Sequence, residues 1–284
     1  MLNLYTPFIT KISSSGGITD SEKLSIAYHN IFDYPLNFAE LIKWKAGELA
    51  INYQSLIIRQ KRGLIYQRLM RKKISEKKML IAKKASKIIS LIPSIKMIAV
   101  TGSLAMENSI AESDIDFMII TKKGRLWTTR LFVYMVIHAF GFSARKPNDL
   151  YQKDKLCLNM WFDESDLLWK NRNIYTAHEI AQIVPLVNKD KIYEKFLEKN
   201  KWILNYWPNA VDKKYMVYSK SYIGQTKTQH TTYNILYTLF EKIAFKFQHI
   251  YMKRKITREV VTPTRALFHP QNWGKVVMGR LGVS

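Results

Sequence analysis

Ala99-Val100-Thr101-Gly102-Ser103 and, ten residues beyond it, Ser113-Asp114-Ile115-Asp116-Phe117-Met118-Ile119-Ile120 are the two segments on which the reading of this chain turns. Each holds an apolar run of strand length, with a Gly-Ser pair closing the first and two acids opening the second. A Gly-Ser turn between a strand and a short helix exposes backbone N–H groups. Glycine lets the backbone approach a triphosphate closely, and the serine hydroxyl offers a further hydrogen bond to a phosphate oxygen. Asp114 and Asp116 are two positions apart, so on a strand their side chains leave the same face. Two adjacent carboxylates suit Mg²⁺, which takes oxygen ligands and bridges carboxylates to substrate phosphates. The plain alternative is a pair of solvated aspartates at a strand start.

Outward from this pair, the pattern predicts a strand over Lys96–Thr101, a short helix over Gly102–Asn108 and a second strand over Asp114–Thr121. A Lys122-Lys123-Gly124 turn leads into a helix from Arg125 to about Gly141, and a basic loop leads to a third strand, Leu156–Phe162. Ahead of the core runs a lysine-rich helix from about Arg71 to Leu91, with an apolar stripe of Ile81, Ala85, Ile88, Ile89 and Ile92, ended by Pro93. Further upstream, Thr19 or Asp20 caps a helix carrying Leu24, Ala27, Tyr28 and Ile31, and Asn37 caps a second through Leu41 and Trp44. A third helix is expected over Tyr53–Lys61, with Gly63 turning into strand-like Leu64-Ile65-Tyr66; that succession resembles a winged helix. Beyond Asp166 the pattern is helical: Ile174–Pro185, Lys191–Trp207 and an amphipathic helix from about Thr231 to Lys255. The aromatic stripe Tyr233, Tyr237, Phe240, Phe247 and Tyr251 on the last of these reads as core, and the final thirty residues as a loose extension. The expected fold is α+β: a small mixed-sheet core with its basic lead-in helix at 71–165, a winged-helix-like module at 1–70, and a C-terminal helical domain and extension at 166–284.

Gly102-Ser103 followed by Asp114-Ile115-Asp116 on the next strand resembles the nucleotidyltransferase superfamily of the DNA polymerase beta type. Leu104-Ala105-Met106, Arg125-Leu126-Trp127, Lys155-Leu156-Cys157-Leu158-Asn159 and Tyr175-Thr176-Ala177-His178-Glu179 are further similar to bacterial proteins described as nucleotidyltransferase-domain proteins, over roughly residues 20 to 190. The resemblance implies Mg²⁺-dependent transfer of a nucleoside monophosphate from a nucleoside triphosphate to an acceptor hydroxyl. It casts Asp114 and Asp116 as catalytic metal ligands and Gly102, Ser103 and Lys122 as the phosphate-binding set. A third carboxylate usually completes such a site from a neighbouring strand; this chain has Asn159 there, with Asp163 four residues on. Asn159 is expected as a metal ligand through its amide oxygen, which cannot act as a base. Asp163 or Glu179 is then expected to supply the acid. The departure leaves a second reading open: a catalytically silent, nucleic-acid-binding regulator or antitoxin-like protein. His178-Glu179 reads more simply as a packing and hydrogen-bonding pair.

Composition sets the partners. The 45 Lys and Arg against 22 Asp and Glu give a net charge of +23, and twelve cationic side chains face one acid, Glu76, between Arg59 and Lys87. Such an excess favours nucleic acid as a partner, although a solvated helix face accounts for the same run. Leu131–Phe142 is almost wholly apolar but too short to cross a bilayer, so no membrane span is expected. The N-terminus has no secretory pattern and Cys157 is the sole cysteine, which together point to a reducing cytoplasm. Cys157 itself reads as a small buried strand residue.

Overall fold

The computed structural model describes residues 19–48, 63–146, 149–212, 215, 232–253, 259–268 and 272–282. The predicted helix over Tyr53–Lys61 lies outside them. Within them, a six-stranded mixed sheet is sandwiched between two helical layers.

The strands run in the order β4-β1-β2-β3-β6-β5, where β1 is Ile95–Val100, β2 Ile115–Thr121, β3 Leu156–Asp163, β4 Val184–Asn188, β5 Val260–Thr262 and β6 Arg265–Leu267. Only β2 and β3 pair in parallel, as their helical crossover requires; the other neighbours are antiparallel. One face of the sheet packs on α3 (Leu64–Ile89), α5 (Leu126–Ala139) and α8 (Thr232–Lys253), through Ile95, Ile98, Phe117, Ile119 and Trp161. The other packs on α1 (Asp20–Asn30), α2 (Phe38–Lys43), α6 (Ile174–Ala181), α7 (Ile192–Lys199) and α9 (Trp273–Leu281), through Met97, Ala99, Met118, Ile120 and Phe162. The described N-terminal helices therefore share one core with the C-terminal ones: Tyr28 and Trp44 meet Trp207 edge-on, at centroid distances of 5.0 and 5.9 Å.

The caps read from sequence are present. Thr19 and Glu22 form a reciprocal capping box on α1, as do Asn37 and Glu40 on α2. Three expectations are corrected. Leu64-Ile65-Tyr66 is not strand-like: Gly63, at φ +86°, opens α3, which starts seven residues before the predicted Arg71. Arg68 accounts for the early start, its guanidinium stacking on Tyr34 at 4.0 Å and bonding Glu40, which fixes the start of α3 to α2 and to the connection between α1 and α2. The predicted helix Ile174–Pro185 stops at Ala181, because Val184-Pro185-Leu186-Val187-Asn188 forms β4, and Pro185 is tolerated there because β4 is an edge strand. Near the C-terminus, Val260–Thr262 and Arg265–Leu267 form a hairpin that extends the sheet, where a loose extension was predicted. Arg265 anchors it, its Nε donating to Asp166 at 2.7 Å.

A bulge in β3 decides which side chains of that strand can share a face. Asp116 pairs with Cys157 but Met118 with Met160, so β3 carries one residue more than β2 over this interval. Leu158 and Trp161, an odd number apart, consequently face the same layer. The parity of the strand inverts between Asn159 and Asp163.

Candidate active site

Thr101 N donates to Asp116 O at 3.1 Å, which lays the turn after β1 against the start of β2. Gly102 follows at φ +61°, a backbone conformation that L side chains avoid, and begins α4 (Gly102–Ala105). A Cβ at Gly102 would lie 2.7 Å from Asp116 Oδ2. The glycine is thus required twice, for its conformation and for contact with the carboxylate. Ser103 Oγ is 3.3 Å from Ser109 Oγ, and Ser109 N donates to Ser75 Oγ on α3 at 3.0 Å.

Asp114 and Asp116 leave the sheet together, and ligand atoms of Asp114, Asp116 and Cys157 all fall within 4.8 Å of one another. Burial and the adjacent Asp114 push the Asp116 carboxyl up to about 7. Asn159 Nδ2 donates to Asp116 Oδ1 at 2.9 Å, which orients the amide and leaves its oxygen buried without a hydrogen-bond partner among the described residues. Arg145 Nη1 donates to Asp114 Oδ2 at 2.7 Å, giving that acid a counter-ion. A strand-like contact holds Arg145 there: Ala144 bridges to Leu156, and Arg145 N donates to Leu156 O at 2.9 Å. Cys157 is buried, as read from sequence, and burial with the two acids pushes its thiol up.

The loop that delivers Asp114 is tied down from behind. Lys78, on α3, is 2% exposed, and its Nζ donates to Ala111 O at 3.0 Å, Ser113 O at 2.7 Å and Asp154 Oδ1 at 2.7 Å. A buried ammonium with three acceptors is satisfied. This lysine belongs to the basic run that pointed to nucleic acid, yet it is a structural residue. Arg68 and Lys78 are withdrawn from solvent, whereas Lys73, Lys77, Lys84 and Lys87 line one exposed face of α3.

Gly102, Ser103, Asp116 and Asn159 open into a cleft of about 670 Å³. Arg71 on α3, Tyr175, Glu179 and Gln182 on and after α6, and Trp273 on α9 complete its walls. Glu179 accepts from Gln182 Nε2 at 2.7 Å, and burial together with Asp116 raises its carboxyl to about 8. His178, beside it, also borders the cleft and is buried against α1: its Nε2 is 3.2 Å from Nε2 of His29, and its ring stacks on Trp44 at 4.2 Å. Burial lowers both imidazoles, and with His29 Nδ1 donating to Ser25 O at 2.8 Å, the facing Nε2 of a neutral His29 is an acceptor. His178 and Glu179 do not form the pair expected of them.

A comparison with models of known protein families and with curated proteins finds no match to this chain.

The residues singled out in the sequence separate into two places. Gly102, Ser103, Asp114, Asp116 and Asn159 are together. Asp163 and Lys122 are not: Asp163 pairs with Thr121, six residues along β3 from Cys157, or about 20 Å away at strand rise. There Asp163 Oδ2 accepts from Gly124 N at 2.6 Å and Oδ1 from Ser165 N at 2.9 Å, so the carboxylate holds the turn after β2. Period-two counting put Asp163 on the face of Asn159, and the bulge takes it off. Lys122 N donates to Ser94 O at 2.8 Å, and the residue borders a separate groove between α3 and α5. Arg71, Arg145 and Lys78 were not singled out. Arg145 lay in a loop recognised only as basic, and none of the three has a motif of its own.

Proposed function

We propose that this chain is a Mg²⁺-dependent nucleotidyltransferase that accepts a nucleoside triphosphate in the Gly102 cleft and moves its nucleoside monophosphate to an acceptor hydroxyl, releasing pyrophosphate. The observation that carries this reading is the contact between Gly102 and Asp116. A glycine that only glycine can replace lies against a carboxylate whose charge a second carboxylate opposes, in the wall of a cleft that would hold a triphosphate. The residues fit a hard cation: Asp114 and Asp116 offer carboxylate oxygens, and the unpartnered Oδ1 of Asn159 offers a third oxygen. When bound there, Mg²⁺ would neutralise the charge that builds on the phosphate oxygens. The protein's own groups do the rest. Ser103 and the backbone of its turn meet the phosphates, and Arg71 and Arg145 add cations to the same cleft. Of the two acids expected to replace the missing carboxylate, Glu179 is the one in the cleft, where its ionised form, reached above about pH 8, would take the proton of the acceptor hydroxyl.

The second reading, a catalytically silent nucleotide-binding regulator, is favoured by Asn159 itself, since an amide beside Asp116 contributes an oxygen but no base. One experiment separates the two. The protein is incubated with each α-labelled nucleoside triphosphate, Mg²⁺ and pooled RNA, and label transfer is read alongside binding of a non-hydrolysable analogue. Transfer that the Asp114→Ala, Asp116→Ala protein lacks, and that Glu179→Gln lowers about 100-fold, establishes the enzyme. Mg²⁺-dependent analogue binding without transfer establishes the silent reading, and neither signal defeats both.

A further inference from the structure

Helix α8 carries two apolar stripes, and among the described residues only one is packed against the rest of the chain. The inner stripe packs on α5 through Ala244 and Met252, with Gln248 Nε2 donating to Trp127 O at 2.8 Å. Glu241 caps the start of α5, accepting from Trp127 N at 2.6 Å and Thr128 N at 2.9 Å. The outer stripe consists of Leu236, Phe240, Ile243, Phe247 and Ile250, exposed by 52, 61, 55, 69 and 61%. The spacing of the stripe predicted Phe240 and Phe247 in the core; the structure puts them on the surface.

Scattered exposed apolar residues are ordinary, but five large ones in a continuous row mark an interaction site. Their spacing alternates four and three, the period of a seam that receives another helix. Charge identifies that helix. Lys242, Lys246 and Lys253 line one edge of the seam, and Glu241, the only acid of α8, is already spent on α5. All 22 acidic residues of the chain lie among the described residues, so no undescribed segment has an acidic side chain to offer these lysines. A second copy laid antiparallel would set lysine edge against lysine edge, and each copy carries +23.

We infer that the outer face of α8 docks an acidic amphipathic helix of a different protein. The partner's apolar row inserts between Phe240 and Phe247, and its Asp or Glu side chains meet the lysine edge. The seam stands apart from the Gly102 cleft, and the inference holds whichever reading of that cleft is correct.

The test uses the full chain and two labelled helical peptides of about four heptads with the same Leu and Ile seam, one flanked by Glu and one by Lys. Fluorescence anisotropy at physiological salt is expected to show micromolar binding of the Glu-flanked peptide and at least about tenfold weaker binding of the Lys-flanked one. Phe240→Ser with Phe247→Ser should weaken the Glu-flanked peptide by about tenfold or more while leaving the melting temperature unchanged, because both rings are exposed. Equal binding of the two peptides, binding of neither, or full binding by the double variant overturns the inference. Sedimentation of the protein alone and flotation with phosphatidylserine vesicles are run in parallel. Self-association abolished by the double variant would assign the seam to a second copy, and flotation abolished by it to an anionic membrane; either result also overturns the inference.

Discussion

The two ends of the β2–β3 pair each present a carboxylate, and the two have opposite fates. At one end, Asp163 is 1% exposed, yet both of its oxygens accept hydrogen bonds from the turns after β2 and β3. At the other, Asp116 has a second acid beside it, an amide as its side-chain donor, and Gly102 where any other residue would supply a Cβ. Burial alone therefore does not mark a reactive acid. What distinguishes Asp116 is that, among the described residues, its carboxyl lacks the backbone donors that Asp163 has, which leaves its charge uncompensated.

The sharpest way to break this contrast is Gly102→Ala. The added methyl meets Asp116 Oδ2 at 2.7 Å at a φ of +61°, so one of the two must move. Transfer is expected to fall about 100-fold or more, since displacement by about an ångström is enough for such a loss. Full transfer by this variant would show that the turn and the acid do not work as a unit. Asp163→Ala tests the opposite end. It strands the Gly124 and Ser165 donors and should cost about 2 kcal/mol in chemical denaturation, while Mn²⁺ affinity, measured below the melting range, stays unchanged. A selective loss of metal binding would return Asp163 to the site.

The third effect is smaller and depends on pH. Burial holds His29 at about 4 and, with His29 opposite, pushes His178 well below its usual value. Both are neutral when folded but titrate near 6.5 when unfolded, so the unfolded chain binds more protons below that pH. Their contribution is complete above pH 6.5 and is lost as the pH falls toward 4. Asp116 and Glu179, held protonated up to about 7 and about 8, work in the opposite direction, and the whole protein blends the two trends. The readout is therefore a difference: between pH 6.5 and 5, the stability of wild type should drop relative to His178→Leu by up to about 1.4 kcal/mol per pH unit, one proton's worth. Parallel curves would mean that the buried pair is not neutral.

The sequence made one end of this sheet legible and left the other obscure. Gly102, Asp114 and Asp116 could be read because their positions are fixed locally, by a turn and by side-chain alternation within one strand. Asp163 was misplaced because one extra residue in β3 breaks that alternation, and no residue between Cys157 and Met160 announces a bulge. Arg145 and Lys78 depend on contacts across 31 and 35 positions, which periodicity does not reveal. The hairpin of β5 and β6 is only three residues per strand, too short for a periodic signal, and is held by the Arg265 contact to Asp166, 99 positions away. The aromatic stripe of α8 has the spacing of a core helix, and nothing in its own sequence tells which of two apolar sides the rest of the chain will cover.

The irregularity in β3 is what sets Asn159 and Asp163, four residues apart, on opposite faces of the sheet. Any single exchange along Leu158-Asn159-Met160 leaves the odd–even count of the strand as it was. Deleting one of these residues would remove the surplus and restore one-to-one pairing with β2, so Trp161, Phe162 and Asp163 would keep their present faces. This short interval should therefore absorb replacements and a one-residue deletion alike without turning Asp163 over.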